Sequence, residues 1–339
     1  MTTTASKLGT SAASPSFGSG RFGKIVASLV MLIGAGLIAL TLISNLFAVG
    51  PAFENLITAF RPALTQTAID TARGDIAGLS AVQAEFTTKL VPALSQQLKM
   101  TPTQFNGFVS QKFPAVAAGM NALPTVVPTF KGLINTLDKQ RPLFASADAI
   151  PTKSLPATTV PWALFGAGLI IFLIGLLMLR KPKAGGATAV VVGLLLVVAP
   201  IALSLPTKAS NADQLNANLK PVYTQALVTN ATGALATIGA MGNEMQTKML
   251  PALATQLKMT PQALQTFLGN NFPATAKALQ TMPASMGRFN GLVKMFDKNL
   301  SNYNTLKPVG LAKIIWTLTI AGGLVAGLGV ITSLKRRRI

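Results

Sequence analysis

The fold is decided by residues 25–48, IVASLVMLIGAGLIALTLISNLFA, which contain no charged side chain. A helix needs roughly 20 mainly apolar residues to cross the hydrocarbon core of a bilayer. Three further stretches meet that requirement, at residues 160–179, 187–205 and 311–334, and Lys313 is their only charged residue. We therefore predict an all-α integral membrane protein with four transmembrane helices, the first of which is an uncleaved anchor.

The composition agrees with partial burial in a bilayer. Half of the 339 residues are hydrophobic and 11% are charged, whereas an average soluble domain has roughly 25% charged residues. The chain contains no cysteine and no histidine, which excludes hydrolysis that uses a histidine base and the usual zinc sites. We also find no phosphate-binding loop, nucleophile elbow or paired catalytic carboxylates. The sequence therefore predicts no enzyme, no cofactor and no metal, and it offers no catalytic or cofactor-binding residue.

The positions of the charges predict the topology. The formal net charge of +20 would ordinarily indicate a nucleic-acid partner. However, three short segments together contain ten basic residues and no acidic residue. They are the segment before the first span, residues 180–186 and residues 335–339. Short loops rich in Lys and Arg remain in the cytoplasm. We therefore predict a plasma-membrane protein with both termini cytoplasmic, a disordered cytoplasmic tail at residues 1–20, long segments 51–159 and 206–310 outside, and no nucleic-acid partner.

The sequence is internally duplicated. Residues 92–102, PALSQQLKMTP, return at residues 251–261 as PALATQLKMTP, identical at nine of eleven positions and 159 residues later. The same offset carries the first span onto the third. Spans two and four correspond only after about nine residues are omitted from the Pro-rich linker around residues 148–156. We predict a parallel tandem repeat with two homologous extracytoplasmic helical-bundle domains, at residues 51–159 and 206–310.

The spacing of apolar residues predicts about four helices in each domain. Seven apolar residues recur three and four positions apart, which is typical of one buried helix face, and all seven counterparts in the second segment are also apolar. The first set is Leu79, Val82, Phe86, Leu90, Val91, Leu94 and Leu98. We expect the first helix to run from about Phe53 to Ala72 directly from the first span, and a further helix to follow Pro124.

Local signals predict one helix start and one kink in each segment. Thr101 and Thr260 are typical N-caps because each precedes a proline, and Gln104 completes a capping box in the first segment. Pro92 and Pro251 fall inside the apolar stripe, where a proline removes one backbone hydrogen bond and kinks the helix. The kink either shapes a groove or fits the helix around its neighbours.

One charged pair recurs in both segments, as Asp138-Lys139 and Asp297-Lys298. Adjacent residues point to different faces of a helix. We therefore interpret the pair as helix caps or surface charges rather than as a site.

Two features bear on contacts in and near the bilayer. Gly323 and Gly327 form a GxxxG motif, which permits close helix contact and leaves an oligomer possible, although packing among the chain's own spans would explain it as well. The basic tail Lys335–Arg338 is either a stop-transfer flank or a contact for anionic lipid headgroups.

These features favour a non-enzymatic, multi-pass cell-envelope protein whose duplicated outer domains bind a protein, lipid or wall partner. An alternative is an accessory or lipid-handling subunit of a membrane transport system, because the apolar stripe of the second segment contains Met241, Met245 and Met249, and methionine surfaces adapt to varied partners. A second alternative is a ligand sensor that signals through a separate partner, since the layout resembles that of bacterial chemoreceptor sensor modules in architecture.

Overall fold

The computed structural model describes residues 19–152 and 154–334, with side chains described from residue 22 onward. Within these ranges the chain is helical and contains no strand, only an isolated bridge between Thr152 and Leu155. The predicted all-α class is confirmed. The basic tail 335–339 and all but the last two residues of the tail 1–20 lie outside the described residues. The helices are α1 Ser19–Ile43, α2 Leu46–Phe60, α3 Gln66–Glu85, α4 Val91–Gln97, α5 Pro102–Lys112, α6 Pro114–Ala147, α7 Thr159–Arg180, α8 Pro182–Ala202, α9 Leu205–Leu219, α10 Gln225–Glu244, α11 Leu250–Gln256, α12 Pro261–Asn271, α13 Pro273–Leu306 and α14 Leu311–Leu334.

Four of the described helices are long and apolar enough to cross a membrane, as predicted: α1, α7, α8 and α14. Among the described residues they belong to one of two compact units, the span unit, formed by residues 19–47, 159–206 and 313–334. The other unit, which we call the helical unit, contains residues 48–152, 154–158 and 207–312.

Glycines allow the span helices to approach one another at backbone level. A Cβ atom on Gly34 of α1 would lie 2.5 Å from the backbone nitrogen of Phe172 and 2.7 Å from the carbonyl oxygen of Gly168, both on α7. A Cβ atom on Gly193 of α8 would lie 2.6 Å from the carbonyl oxygen of Gly322 on α14. Small residues at such contacts are the usual means of packing helices in a membrane.

The same contacts correct the alignment of the second and fourth spans. Gly168 and Gly322 occupy the same place in their helix pairs and are 154 residues apart, as are Trp162 and Trp316. The linker of the first segment is therefore five residues longer than its counterpart, and our sequence estimate of about nine residues was wrong.

The helices of the second segment repeat the bounds of the first with a shift of 159 residues. This relation holds for α2 and α9, α3 and α10, α4 and α11, α5 and α12, and α6 and α13. The two π-helical turns, Phe86–Leu90 and Met245–Met249, obey it too.

The helical unit has one hydrophobic core, to which both segments contribute. Helix α6 packs against α10 and α3 packs against α13, so each segment contacts the other as well as itself. The rings of Phe130 on α6 and Phe289 on α13 also meet between the segments, 5.1 Å apart and edge to face. The sequence led us to describe two domains, whereas the structure joins both segments in one compact unit. A segment of about 100 residues alone buries a smaller fraction of its surface than a unit of twice that size, so sharing a core increases the burial.

The expected helix from Phe53 to Ala72, continuous with the first span, is wrong. Helix α1 ends at Ile43, and Asn45 then adopts a left-handed conformation, with φ at 48°. A second break follows α2, where Pro62 cannot donate a backbone hydrogen bond and Thr65 caps α3 by accepting a bond from the Ala68 amide.

The expected start of a helix after Pro124 is also wrong. Helix α6 begins at Pro114 and continues through Pro124, Pro128 and Pro142. The break lies earlier, at Phe113, whose φ of −135° and ψ of 62° are not helical. Proline is well tolerated at the first helical position that follows, so residue 114 is the natural start.

The proline-containing part of the apolar stripe adopts a different local structure from a simple kink. A five-residue π-helical turn directly precedes the helix that contains Pro92, and the same holds for Pro251. The Val91 amide donates to the Phe86 carbonyl, five residues back. π-Helical turns are a common cause of helix bends.

Candidate functional site

Each long helix of the helical unit receives its N-terminal cap from the other segment. Glu244 Oε2 accepts hydrogen bonds from the backbone amides of Ala115, at 2.7 Å, and Val116, at 3.0 Å, at the start of α6. Glu85 Oε2 accepts a bond of 2.7 Å from the amide of Thr275, at the start of α13. Both carboxylates are buried. Amides at a helix start have no partner within their own helix, so the two segments complete each other.

The environment of Glu244 stabilises its charged form. Burial by itself raises the pKa of a carboxyl group, but hydrogen bonds from the Val116 and Ala115 amides and from Lys248 outweigh it, and the pKa of Glu244 is lowered. Lys248 Nζ lies 3.3 Å from Glu244 Oε1. The positive end of the α6 dipole acts in the same direction.

Another pair of acids fixes the segments where they lead towards α7 and α14. Glu54 Oε2 accepts a bond of 2.8 Å from the Ala157 amide. Its counterpart Asp213 accepts bonds of 2.8 and 3.0 Å from the amides of Leu311 and Ala312. These recurring acids are therefore structural.

The arginines of the helical unit are all paired with aspartates. The shortest distances are 2.7 Å for Arg61–Asp148, 2.7 Å for Arg73–Asp138, 3.4 Å for Arg141–Asp138 and 2.6 Å for Arg288–Asp75. Hydrogen bonds from Arg73 and then Arg141 lower the pKa of Asp138. The aspartates of these pairs are half-buried, and the arginines neutralise their negative charge within the unit.

The recurring Asp-Lys pairs do not form a common site. Asp138 lies between two arginines, whereas Asp297 is exposed and has no ion-pair partner in the described part of the chain. Lys139 and Lys298 are both exposed. The interpretation as surface charges fits Lys139, Asp297 and Lys298, while Asp138 belongs to an ion-pair network that the sequence did not reveal.

The charge left on the surface of the helical unit is mainly positive and comes from lysine. Residues 48–158 and 207–312 contain 18 basic and nine acidic residues. Eight of the nine carboxylates accept hydrogen bonds inside the unit, while the described structure gives no ion pair or hydrogen bond to eleven exposed lysine side chains. These are Lys89, Lys99, Lys112, Lys131, Lys139, Lys220, Lys258, Lys277, Lys294, Lys298 and Lys307. We call this set the lysine surface.

Two of these lysines lie in the tight loops 98–102 and 257–261, which we call the lysine loops. Both loops have the sequence Leu-Lys-Met-Thr-Pro. Lys99 and Lys258 adopt left-handed conformations, with φ at 55° and 52°. The Met100 amide donates to the Ser95 carbonyl at 2.8 Å and the Lys99 amide to Gln96 at 3.2 Å, which is the Schellman pattern of a helix end.

The rest of each lysine loop has a clear structural role. Thr101 accepts a bond from the Gln104 amide and completes the predicted capping box, which is confirmed, and Thr260 caps α12 as predicted. Leu98 and Leu257 pack against the core. The lysine is the one loop residue without such a structural role. Glycine or asparagine would adopt its left-handed backbone conformation at lower cost.

Two apolar cavities in the described part of the helical unit are small. One beside Phe130 and Val228 has a volume of about 20 Å³, and another beside Phe53 and Tyr303 has about 40 Å³, whereas ligand pockets usually hold 300–1,000 Å³. The methionines of the apolar stripe are buried in the shared core. These methionines therefore serve as packing residues.

A larger cleft of about 270 Å³ is polar and lies beside the long linker of the first segment. It is lined by Glu54, Arg61, Asp148, Thr152 and Ser154, among others. In the second segment, lysines stand at the positions that correspond to Arg61 and Asp148. The cleft is therefore specific to the first segment, and its lining suits a small polar molecule rather than an acyl chain.

An aromatic cluster occupies part of the core. The rings of Tyr223 and Tyr303 stack 4.4 Å apart, and Phe296 lies 4.8 Å from Tyr223. Burial, and then the neighbouring Tyr303, raise the pKa of the Tyr223 hydroxyl, which has no hydrogen-bond partner. This hydroxyl therefore stays protonated at neutral pH.

The GxxxG motif does not mediate the contact between α8 and α14. The glycines that α14 contributes to that contact are Gly322 and Gly329. A Cβ atom on Gly327 would meet no other atom within 4 Å, and one on Gly323 would only touch Val197 at 4.0 Å. Packing within the chain therefore does not explain the motif, and an oligomer stays a prediction.

Comparison with protein families and with curated proteins gives no relative. The chain matches no protein-family model, and a search of curated proteins finds no similar sequence. Within residues 19–152 and 154–334, no group of three or more acidic side chains is placed to hold a metal ion. We take the lysine surface as the candidate site because its side chains are exposed and the described structure gives them no ion pair or hydrogen bond.

Sequence reasoning missed two features of the helical unit. Glu85 and Glu244 interrupt the apolar stripe at corresponding positions, and an acid retained on a buried face in both segments was a readable signal. Lys99 and Lys258 gave no such signal, because a left-handed backbone conformation cannot be recognised from a lysine.

Proposed function

We propose that this chain is a non-enzymatic, four-span protein of the plasma membrane. Its helical unit, built from two homologous repeats, faces the exterior and binds an anionic partner in the cell envelope. The observation that carries the proposal is the charge distribution. The unit uses its carboxylates and arginines internally and leaves exposed lysines unpaired. Unpaired like charges repel one another and attract an oppositely charged partner over about 8–10 Å at physiological salt.

The repeat is supported by the common offset of 159 residues in helix bounds, π-helical turns and capping carboxylates. The outward orientation is supported by the basic residues of the turn between α7 and α8, because short basic loops remain in the cytoplasm. The two apolar cavities beside Phe130 and Tyr303 offer little room for a lipid chain, which supports binding at the surface.

The absence of cysteine from the chain makes the orientation directly measurable. Single cysteines would replace Lys131 and Lys294 in the helical unit, and Lys183 in the first turn of α8, next to the junction with α7. A membrane-impermeant maleimide added to intact cells should label positions 131 and 294, and should label position 183 only after the membrane is opened. Labelling of position 183 alone in intact cells would reverse the orientation and remove the proposal.

The anionic partner is tested separately. The full chain in right-side-out vesicles, which shield the cytoplasmic basic segments, should bind an anionic polymer and ignore a neutral polymer of equal length. Binding should weaken steeply with added salt, because screening acts on exposed charges. Absence of binding to anionic polymers and to anionic vesicles at low salt would refute an anionic partner while leaving the orientation untouched.

A further inference from the structure

The two lysine loops repeat one structure in a single compact unit. Each has a Schellman helix end, a lysine in the left-handed region and a threonine cap on the next helix. Many residues differ between the segments, including most of the buried stripe, yet these five exposed or half-exposed positions are identical.

Physical chemistry explains four of the five residues. The leucine packs against the core, the threonine caps a helix and the proline occupies its first turn. The methionine follows the helix end at the position where a hydrophobic contact usually accompanies a Schellman motif. The structure gives the lysine side chain no hydrogen bond and no ion pair in either described loop.

The lysine also occupies an unfavourable backbone conformation. A residue with a Cβ atom is strained in the left-handed region, and glycine or asparagine is the usual choice there. The helix dipole favours an ammonium group at a helix C-terminus, but by less than the left-handed conformation costs a residue with a Cβ atom. Lys139 and Lys298 also recur unpaired, but they lie in regular helix. The strained backbone that recurs at Lys99 and Lys258 is therefore the observation that points to a ligand for their ammonium groups.

We propose that Lys99 and Lys258 are paired contact residues for a polymer that carries repeated phosphate groups. This inference rests on the proposed function and names the partner's chemistry. Two copies of the same contact in one unit fit a ligand that offers the same group more than once. A lysine ammonium is a mobile point charge without the fixed fork of arginine, so it fits a flexible chain of phosphates better than a single ligand in a cradle.

The test compares three forms of the full chain in right-side-out vesicles. The first is unmodified, the second carries Lys99→Asn and Lys258→Asn, and the third carries Lys139→Gln and Lys298→Gln. The control pair also recurs at an offset of 159, is exposed and is unpaired, so it removes the same charge from α6 and α13. Long-chain inorganic polyphosphate is the probe, and vesicles of anionic phospholipid are a second probe.

The Asn pair should keep or raise the melting temperature, since asparagine tolerates the left-handed conformation, and should weaken polyphosphate binding. One lysine near an anionic surface contributes about a fivefold factor in affinity, so the pair should lose about thirtyfold. The dependence of log affinity on log salt should become shallower by about 1 to 2. The Gln pair should lose clearly less affinity for polyphosphate. Higher stability with weaker binding is a combination that a purely structural role would not produce.

Three results would overturn the inference. Equal losses in the Asn and Gln pairs would mean diffuse attraction by the lysine surface. Binding to phospholipid vesicles with no affinity for polyphosphate would mean a membrane partner. In both cases the proposed function would stand. Absence of binding to either probe by the unmodified chain would remove the inference and the anionic partner together.

Discussion

Replacing Glu85 by methionine should open the start of a helix that lies 190 residues further along the chain. Methionine preserves the volume and removes the acceptor. The Thr275 amide, which donates to Glu85 Oε2 at 2.7 Å, would then be buried without a partner. A hydrogen bond to a charged group contributes about 1.5–3 kcal/mol, and an unpaired buried donor costs about 1–3 kcal/mol. The two ranges describe the same loss and are not added, so we expect Glu85→Met to lower the free energy of unfolding by about 2–3 kcal/mol.

The assay is hydrogen exchange of the full chain, read by mass spectrometry on peptides. In the Glu85→Met variant, the peptide at the start of α13 should lose protection, while the peptide at the start of α6 stays protected. Glu244→Met should produce the opposite pattern, because its carboxylate accepts from the amides of Ala115 and Val116. Thermal unfolding of the helical unit should shift by about 5–10 °C for Glu85→Met.

The reciprocal pattern is what makes this test decisive. General destabilisation would raise exchange in both peptides together. If each variant loses protection only around its own mutated residue, with both distant helix starts unchanged, the carboxylates do not act as caps between segments. Glu85→Gln serves as a control that retains a hydrogen-bond acceptor without the charge. It should lose less hydrogen-exchange protection at the start of α13 than Glu85→Met.

Three further predictions concern pH, close packing and one ion pair. The pKa of Glu244 is lowered in the folded chain. Its contribution to the free energy of unfolding is therefore complete above the ordinary pKa of about 4.3 and is lost as the pH falls through the folded pKa. The stabilities of the unmodified chain and of Glu244→Gln, measured as the pH is lowered, should differ above that range and converge below it. Gly34→Val should abolish the close contact of α1 and α7 and lower the melting temperature in detergent. Gly36→Val is the control, because position 36 has open space, and it should leave the melting temperature unchanged. Equal melting temperatures of the two variants would contradict the backbone contact. Arg288 and Asp75 form a bidentate pair between the segments, so a double-mutant cycle should yield a coupling of about 1 kcal/mol, and zero coupling would show the pair to be irrelevant to stability.

The spans were predictable because hydropathy and length act locally. Residues 160–179, 187–205 and 311–334 identified α7, α8 and α14 to within a few residues. The capping box of Thr101 was predictable for the same reason, since its partner Gln104 is three residues away. Each of these features depends on one short stretch of chain.

The continuation of α6 through its prolines and the shared core were not predictable from any one short stretch of sequence. Pro124 appeared to start a helix, but α6 continues through it. The sequence shows which residues are apolar, yet it does not show that Phe130 meets Phe289 of the other segment. The lysine surface was visible as net charge alone, because the pairing of Arg61 or Arg288 with a distant aspartate appears only in three dimensions.

The capping of α6 by Glu244 has a consequence for biosynthesis. The two bonded partners Val116 and Glu244 are 128 residues apart, and a ribosome needs about 6–26 s to translate that distance at about 5–20 residues per second. During that interval the nascent first half has an incomplete helix start and an uncovered apolar face. A translation pause within the second half would prolong this exposure, so rare codons there should increase capture of the chain by holdase chaperones or membrane proteases.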